Sequence, residues 1–140
     1  MPRIYRTLEQ AQQLIATVSP LMRDVMRLKR SLDELNTIEI EYDDEAQEEI
    51  DFISINKDFH RLNYQFYRKL ELLEKQGCIV KDIDLGLIDF LSVFQGKEIL
   101  LCWRFGEDAI DFYHEIDQGY QDRKPIKEIE ERLSKYLSFP

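Results

Sequence analysis

The sequence predicts an α+β fold: a long antiparallel, coiled-coil-like helical hairpin, a small three-stranded antiparallel β-meander and two shorter C-terminal helices. Three observations predict it. Apolar residues recur at alternating spacings of three and four from Ala11 to Leu35, the seam of a helix that packs along its length. A second, wider stripe runs from Ile50 to Leu73. Between Cys78 and Arg104 three short apolar runs are separated by turn residues at Asp84-Leu85-Gly86 and Gln95-Gly96, as hairpin-connected strands require. The 140 residues read as one domain, with the hairpin over 7–77, the meander over 78–104, and a short helix, a turn and a closing helix over 105–140. A chain of this length buries a core without disulfides or metal.

The first helix opens at a capping box. After a short extended lead-in over 3–6, Thr7 and Gln10 stand just before the seam. The Thr hydroxyl then accepts an early N–H, and the Gln side chain reaches back to the Thr N–H. The seam runs Ala11, Leu14, Val18, Leu21, Val25, Leu28, Leu32, Leu35. Pro20 either kinks one helix or opens a second one capped by Ser19; the unbroken seam favours one kinked helix. Asn36 to Tyr42 alternates, as a short strand or an extended loop does. Asp43 or Asp44 caps the second helix, whose acidic first turns suit the positive end of the helix dipole. Its stripe includes Ile50, Phe52, Ile53, Ile55, Phe59, Leu62, Phe66, Leu70 and Leu73, and Gly77 stops it.

The strands are placed at 78–82, 87–93 and 98–104. With Gln95-Gly96 as a two-residue turn, Phe94 faces Lys97 and Asp89 faces Cys102. Alternation puts Ile79, Ile88, Phe90, Ile99, Leu101 and Trp103 on one face. Val80, Asp82, Leu87, Asp89, Leu91, Leu100, Cys102 and Arg104 take the other. Cys78 and Cys102, on the two outer strands, fall about 10 Å apart at two strand spacings, too far for a disulfide; both read as buried small hydrophobes in a reduced compartment. Residues 107–116 read as a short helix ending before Gly119. Pro125 opens the closing helix, with Ile126, Ile129, Leu133, Tyr136 and Leu137 on its apolar face.

Composition narrows the function classes. The formal net charge is −9, and nine acidic residues with no Lys or Arg fall in 34–51. Such a field repels phosphate backbones, so nucleic acid is not an expected partner. The basic group Arg23, Arg27, Lys29 and Arg30 reads as the solvated face of a helix. Tyr64, Phe66 and Tyr67 interleave with Arg61 and Arg68, and read as core with a tyrosine rim rather than a base-stacking platform. His60 reads as surface or core-edge packing. No apolar run nears the roughly 20 residues of a bilayer-spanning helix, and the N-terminus has no apolar signal segment. A cytoplasmic protein without a membrane partner is expected. Gly-rich phosphate loops, Gly-x-Ser-x-Gly elbows and Cys-x-x-Cys pairs are absent, which leaves the common nucleotide and hydrolase machines unsupported.

Chemistry concentrates in 100–126, which holds the only Trp, one of two His and one of two Cys. On a helix starting at Glu107, the residues Glu107, Asp111 and His114 share one face at i, i+4 and i+7. Asp111-x-x-His114 is a spacing that places two metal ligands together. Asp89 and Arg104, with Asp82, share the sheet face that leads into it. The candidate site is therefore Asp89, Arg104, Glu107, Asp111, His114 and Arg123. No cofactor is required by this pattern. A divalent transition ion suits Glu107, Asp111 and His114 as weak ligands, and His114 oriented by Asp111 or Glu115 suits acid–base work. Plain structural roles compete with both: Glu107 as a helix N-terminal acid, Arg104 as a diagonal partner of Asp89, and His114 hydrogen-bonded at the core edge. Arg123 and Lys124, beside Pro125, could hold an anion at the last helix's N-terminus or lie solvated in a turn.

Lys81-Asp82, Gly86-Leu87-Ile88-Asp89-Phe90 and Leu101-Cys102-Trp103-Arg104-Phe105-Gly106-Glu107 resemble the domain of unknown function 2203 family of prokaryotic proteins. Thr7-Leu8-Glu9, His114, Gly119, Arg123 and Pro125-Ile126 fit the same pattern, so the resemblance covers nearly the whole chain. Where the family carries a Trp beside the His, this chain has Tyr113, and its central acidic stretch has no counterpart in the family pattern. The resemblance implies a small prokaryotic cytosolic protein. It implies no activity, so no catalytic residues carry over.

Helices of about 29 and 33 residues would be about 43 and 50 Å long, against strands of about 17–20 Å. The uncovered apolar length asks for a partner, and a homodimer packing two hairpins into a four-helix bundle meets that need. The leading functional expectation is a non-enzymatic interaction or adaptor protein. It would self-associate through the hairpin and use the region from Trp103 to Arg123 for a protein partner. The alternative is a metal-dependent or acid–base enzyme, or a small-ligand sensor, centred on Glu107, Asp111 and His114.

Overall fold

The computed structural model describes residues 3–37 and 45–129. Helix α1 spans Leu8–Thr37 and helix α2 spans Glu45–Lys75. Five strands follow: β1 Cys78–Asp82, β2 Leu87–Phe94, β3 Lys97–Arg104, β4 Phe112–Glu115 and β5 Lys124–Pro125. They form one antiparallel sheet in sequence order. Among the described residues, no helix is long and apolar enough to cross a membrane.

The capping box is present: Thr7 N–H donates to Gln10 Oε1, and Gln10 N–H to Thr7 Oγ1, both at 3.0 Å. α1 continues through Pro20 as one helix, although Pro20 has no N–H to donate. Asn36 and Thr37 belong to α1, which removes the expected strand or loop there; residues 38–44, including the Asp43 and Asp44 caps, lie outside the described residues. The helices run antiparallel. Arg6 donates to Gln76 O at 3.1 Å, Lys69 pairs with Asp24 at 3.3 Å, and Leu35 shares a surface hollow with Phe59. Gly77, at φ +87°, ends α2 with a turn that only glycine adopts freely.

The meander follows the expected register, with Asp89 opposite Cys102 and Phe94 opposite Lys97. Its inner face carries Ile88, Phe90, Ile99, Leu101 and Trp103, which join Ala11, Val18, Met22 and Val25 of α1 and Leu73 of α2 in one core. In β1 the faces are the reverse of those expected. Ile79 stands opposite Asp89, while Cys78 and Val80 turn inward. An irregularity between Val80 and Asp82 breaks the two-residue period on which counting back from β2 depends.

The predicted fold class fails at the C-terminal end. The sheet has five strands rather than three, and the two C-terminal helices are not seen among the described residues. Residues 107–111 are a turn that leads into β4. Their backbone groups are bonded by side chains outside the segment: Ile110 N–H donates to Gln12 Oε1 at 2.9 Å, Gln12 Nε2 to Ile110 O at 3.1 Å, and, from four residues away, Trp103 Nε1 to Glu107 O at 2.9 Å. Phe112-Tyr113-His114 then takes the strand geometry that aromatic residues favour and pairs with β3. Pro125 does not open a helix. It sits in the edge strand β5, where its missing N–H does no harm. Ile126–Glu128 is a single 3-10 turn, and the remainder of the expected closing helix lies outside the described residues. Cys78 and Cys102 are free thiols, but β3 is the middle strand and the two face opposite sides of the sheet.

Candidate functional site

The outer face of the sheet would ordinarily be wet and polar. Here its middle is buried: Leu87, Leu91 and Leu100 are 6%, 7% and 3% exposed, and Asp89 of β2, Cys102 of β3 and His114 of β4 are 1%, 1% and 2% exposed. Asp89 stands directly opposite Cys102; His114 stands opposite Leu100, one diagonal step from Cys102. All three therefore point to the same side. One ligand-type atom from each, a carboxylate oxygen, the sulfur and an imidazole nitrogen, lie within 4.8 Å of one another.

The hydrogen bonds assign the protons. His114 Nδ1 lies 2.9 Å from Glu115 O. A carbonyl oxygen only accepts, so Nδ1 carries a hydrogen. Nε2 then faces Asp89 Oδ2 at 3.0 Å. The Asp89 hydrogen bond, helped by Cys102, pushes the His114 pKa up to about 10 against the opposing effect of burial. The pair is therefore an imidazolium facing a carboxylate, buried beside a thiol. Burial pushes the Cys78 thiol up to about 12, against a lowering by Arg6, which makes it inert.

A cavity of about 190 Å³ opens onto this floor. Asp89, Cys102 and His114 line it together with Leu87, Lys81, Gln118, Gly119 and Tyr120. Among the described residues Lys81 has no ion-pair partner. Tyr120 is held by arginines. Arg104 Nη1 and Arg123 Nη2 lie 3.1 and 3.3 Å from its hydroxyl, and the Arg123 guanidinium sits 4.0 Å from the Phe112 ring centre and 4.3 Å from that of Tyr120. Arg123 also grips Glu107 through both carboxylate oxygens at 3.2 and 3.3 Å, while Glu107 Oε1 accepts the Arg104 N–H at 2.6 Å.

The six residues expected from the sequence therefore separate. Asp89 and His114 meet. Glu107, Arg104 and Arg123 form the clamp that fixes the wall of the cavity; Glu107 is a turn acid, not a helix cap, and the Arg104 guanidinium goes to Tyr120 rather than Asp89. Asp111 is exposed, and its role on a shared helix face with Glu107 and His114 falls with the helix. Arg123 binds Glu107 and does not stand at a helix N-terminus. Cys102 and Lys81 were overlooked as site residues. The alternation that set Cys102 opposite Asp89 was a usable signal for the first; for the second the signal was the place of Lys81-Asp82 in the family resemblance.

A family model described as "Uncharacterized conserved protein (DUF2203)" matches residues 3–126. The chain belongs to the DUF2203 family. The match spans both helices, all five strands and every residue of the cavity floor. No curated protein and no solved structure matches this DUF2203 chain.

Proposed function

We propose that this DUF2203 protein works through the cavity on the outer face of its sheet, as a small-ligand site with Asp89, Cys102 and His114 as its reactive floor. The observation that carries the reading is the buried Asp89–His114 ion pair at the base of an open cavity. Burying two charges costs several kcal/mol per ion, and an apolar pair of similar size is often as stable or more so. Stability gives no reason for such a pair; a ligand that needs a charged or coordinating group does. Lys81 on the wall suits a ligand with negative or acceptor character. Titration with acetate, phosphate and imidazole at millimolar concentration tests the reading by amide NMR. At least one probe should shift Lys81, Gln118, Gly119 or Tyr120; silence at all four positions contradicts it.

A second reading, a self-associating adaptor, has its own support. On α2, Ile53, Tyr64 and Tyr67 are 50%, 66% and 61% exposed. With exposed His60 they follow spacings of seven, four and three, a single helical stripe of the kind that pairs with another helix. A second copy of the chain is its proposed occupant. Sedimentation equilibrium at micromolar concentration should give twice the 16.8 kDa chain mass, and Tyr64→Glu should return it to monomer. A monomeric wild type removes this reading and leaves the cavity untouched.

A further inference from the structure

We infer that Asp89, Cys102 and His114 are a three-ligand site for a divalent transition-metal ion of the zinc class, reachable from the cavity; the inference rests on the small-ligand reading of that cavity. Three independent features carry it. The first is the donor set: one carboxylate, one thiol and one imidazole, taken from three adjacent strands and all buried. Thiolate and imidazole select zinc, cobalt or iron over magnesium and calcium.

The second is the orientation of the imidazole. His114 gives its Nδ1–H to the Glu115 carbonyl at 2.9 Å, which turns Nε2 towards Asp89 and Cys102. Metal-ligating histidines take the same outer hydrogen bond, which sets the tautomer and aims the free nitrogen. The third is access. The three side chains form the floor of the cavity, so an ion they hold has three protein ligands and a position open to a small molecule. This is the plan of a catalytic rather than a structural zinc site.

The dimensions agree. Tetrahedral zinc with bonds of about 2.0–2.3 Å separates its ligand atoms by roughly 3.3–3.7 Å. The Nε2–Oδ2 separation is 3.0 Å, and the three atoms span at most 4.8 Å, so shifts of a few tenths of an ångström to about 1 Å bring them to coordination distance. Protons balance as well. The ion displaces the hydrogen between His114 and Asp89, and the Cys102 thiol gives up its own, so two protons leave as one ion enters. The resulting centre, a doubly positive ion with a carboxylate, a thiolate and a neutral imidazole, carries no net charge, which suits its burial.

Cobalt(II) is the probe, because a sulfur-to-cobalt charge-transfer band reports thiolate ligation directly. The full chain, stripped with chelator and titrated with cobalt, should bind one ion per chain and show that band. Cys78→Ser should keep it. Cys102→Ser and His114→Ala should lose it, and affinity should fall by more than the roughly 10–100-fold that outer-shell changes cost. Far-UV circular dichroism checks folding. If His114→Ala does not fold, Cys102→Ser, which changes one atom, decides alone. No band in wild type, or a band that survives Cys102→Ser, overturns the inference. If cobalt fails while acetate, phosphate or imidazole still shift the cavity amides, only the metal site falls; if all are silent, the small-ligand reading falls with it.

Discussion

The His114 imidazole reaches over β3 to the Asp89 carboxylate, Nε2 to Oδ2 3.0 Å, although their strands lie two spacings apart, about 9.6 Å. Cys102 lies between them on the strand they bridge. The arrangement exists because β2, β3 and β4 each send one of these side chains to the same outer face at neighbouring register positions.

Removing one partner should be far worse than removing both. His114→Ala leaves the Asp89 carboxylate buried without its partner, which should cost about 3–5 kcal/mol. The double variant Asp89→Leu/His114→Leu should match the wild type or exceed it by up to about 4 kcal/mol. Urea unfolding of both settles it. A double variant less stable than His114→Ala would mean that the pair is there for stability.

The pair also sets a pH dependence in metal-free protein. The Asp89 hydrogen bond raises the His114 pKa from the ordinary imidazole value of 6.5 to about 10 on folding. Below the unfolded value both states are protonated and the full benefit of the pair is present. As pH rises towards 10 the unfolded state sheds its proton first, and that benefit is lost. In chelator, the urea midpoint should fall between pH 7 and pH 10 in wild type more than in the double leucine variant. Equal slopes would contradict the ion pair.

Arg123→Ala should loosen the cavity wall. It removes both Glu107 contacts and the stacking on Phe112 and Tyr120, a loss of about 1–3 kcal/mol. Hydrogen exchange should speed up across residues 116–123 with little change in α1. Unchanged exchange there would show that the clamp is idle.

Two turn glycines should respond differently to alanine. Both have positive φ, +72° at Gly86 and +75° at Gly96. At Gly86 an added Cβ would come within 2.7 Å of the Phe105 Cβ, whereas at Gly96 it meets nothing within 4 Å. Gly96→Ala should cost about 1 kcal/mol from backbone strain alone, and Gly86→Ala about 2–4 kcal/mol with the clash added. Thermal melts that rank them the other way would contradict this packing.

The hairpin and the β2–β3 pair were legible because local rules decide them: a capping box, a long apolar seam and a two-residue turn. Even there, Met22 is fully buried but stands outside the heptad reading, since a straight helix drifts from a strict seven-residue repeat. β4 was not legible. Asp111-x-x-His114 has helical spacing and Phe112-Tyr113-His114 has strand composition, and pairing with β3 decided between them. That one misreading moved His114 from a supposed helix face, beside Glu107 and Asp111, to the sheet face of Asp89 and Cys102. Charge alone did not complete the site either, because Cys102, one of its three members, reads as an ordinary buried core residue.

The most direct measurement is X-ray absorption at the zinc edge on protein loaded with one zinc per chain. The account predicts a single sulfur at about 2.3 Å and nitrogen or oxygen neighbours at about 2.0–2.2 Å, with the sulfur lost in Cys102→Ser. A shell of nitrogen and oxygen only, unchanged by Cys102→Ser, would contradict it.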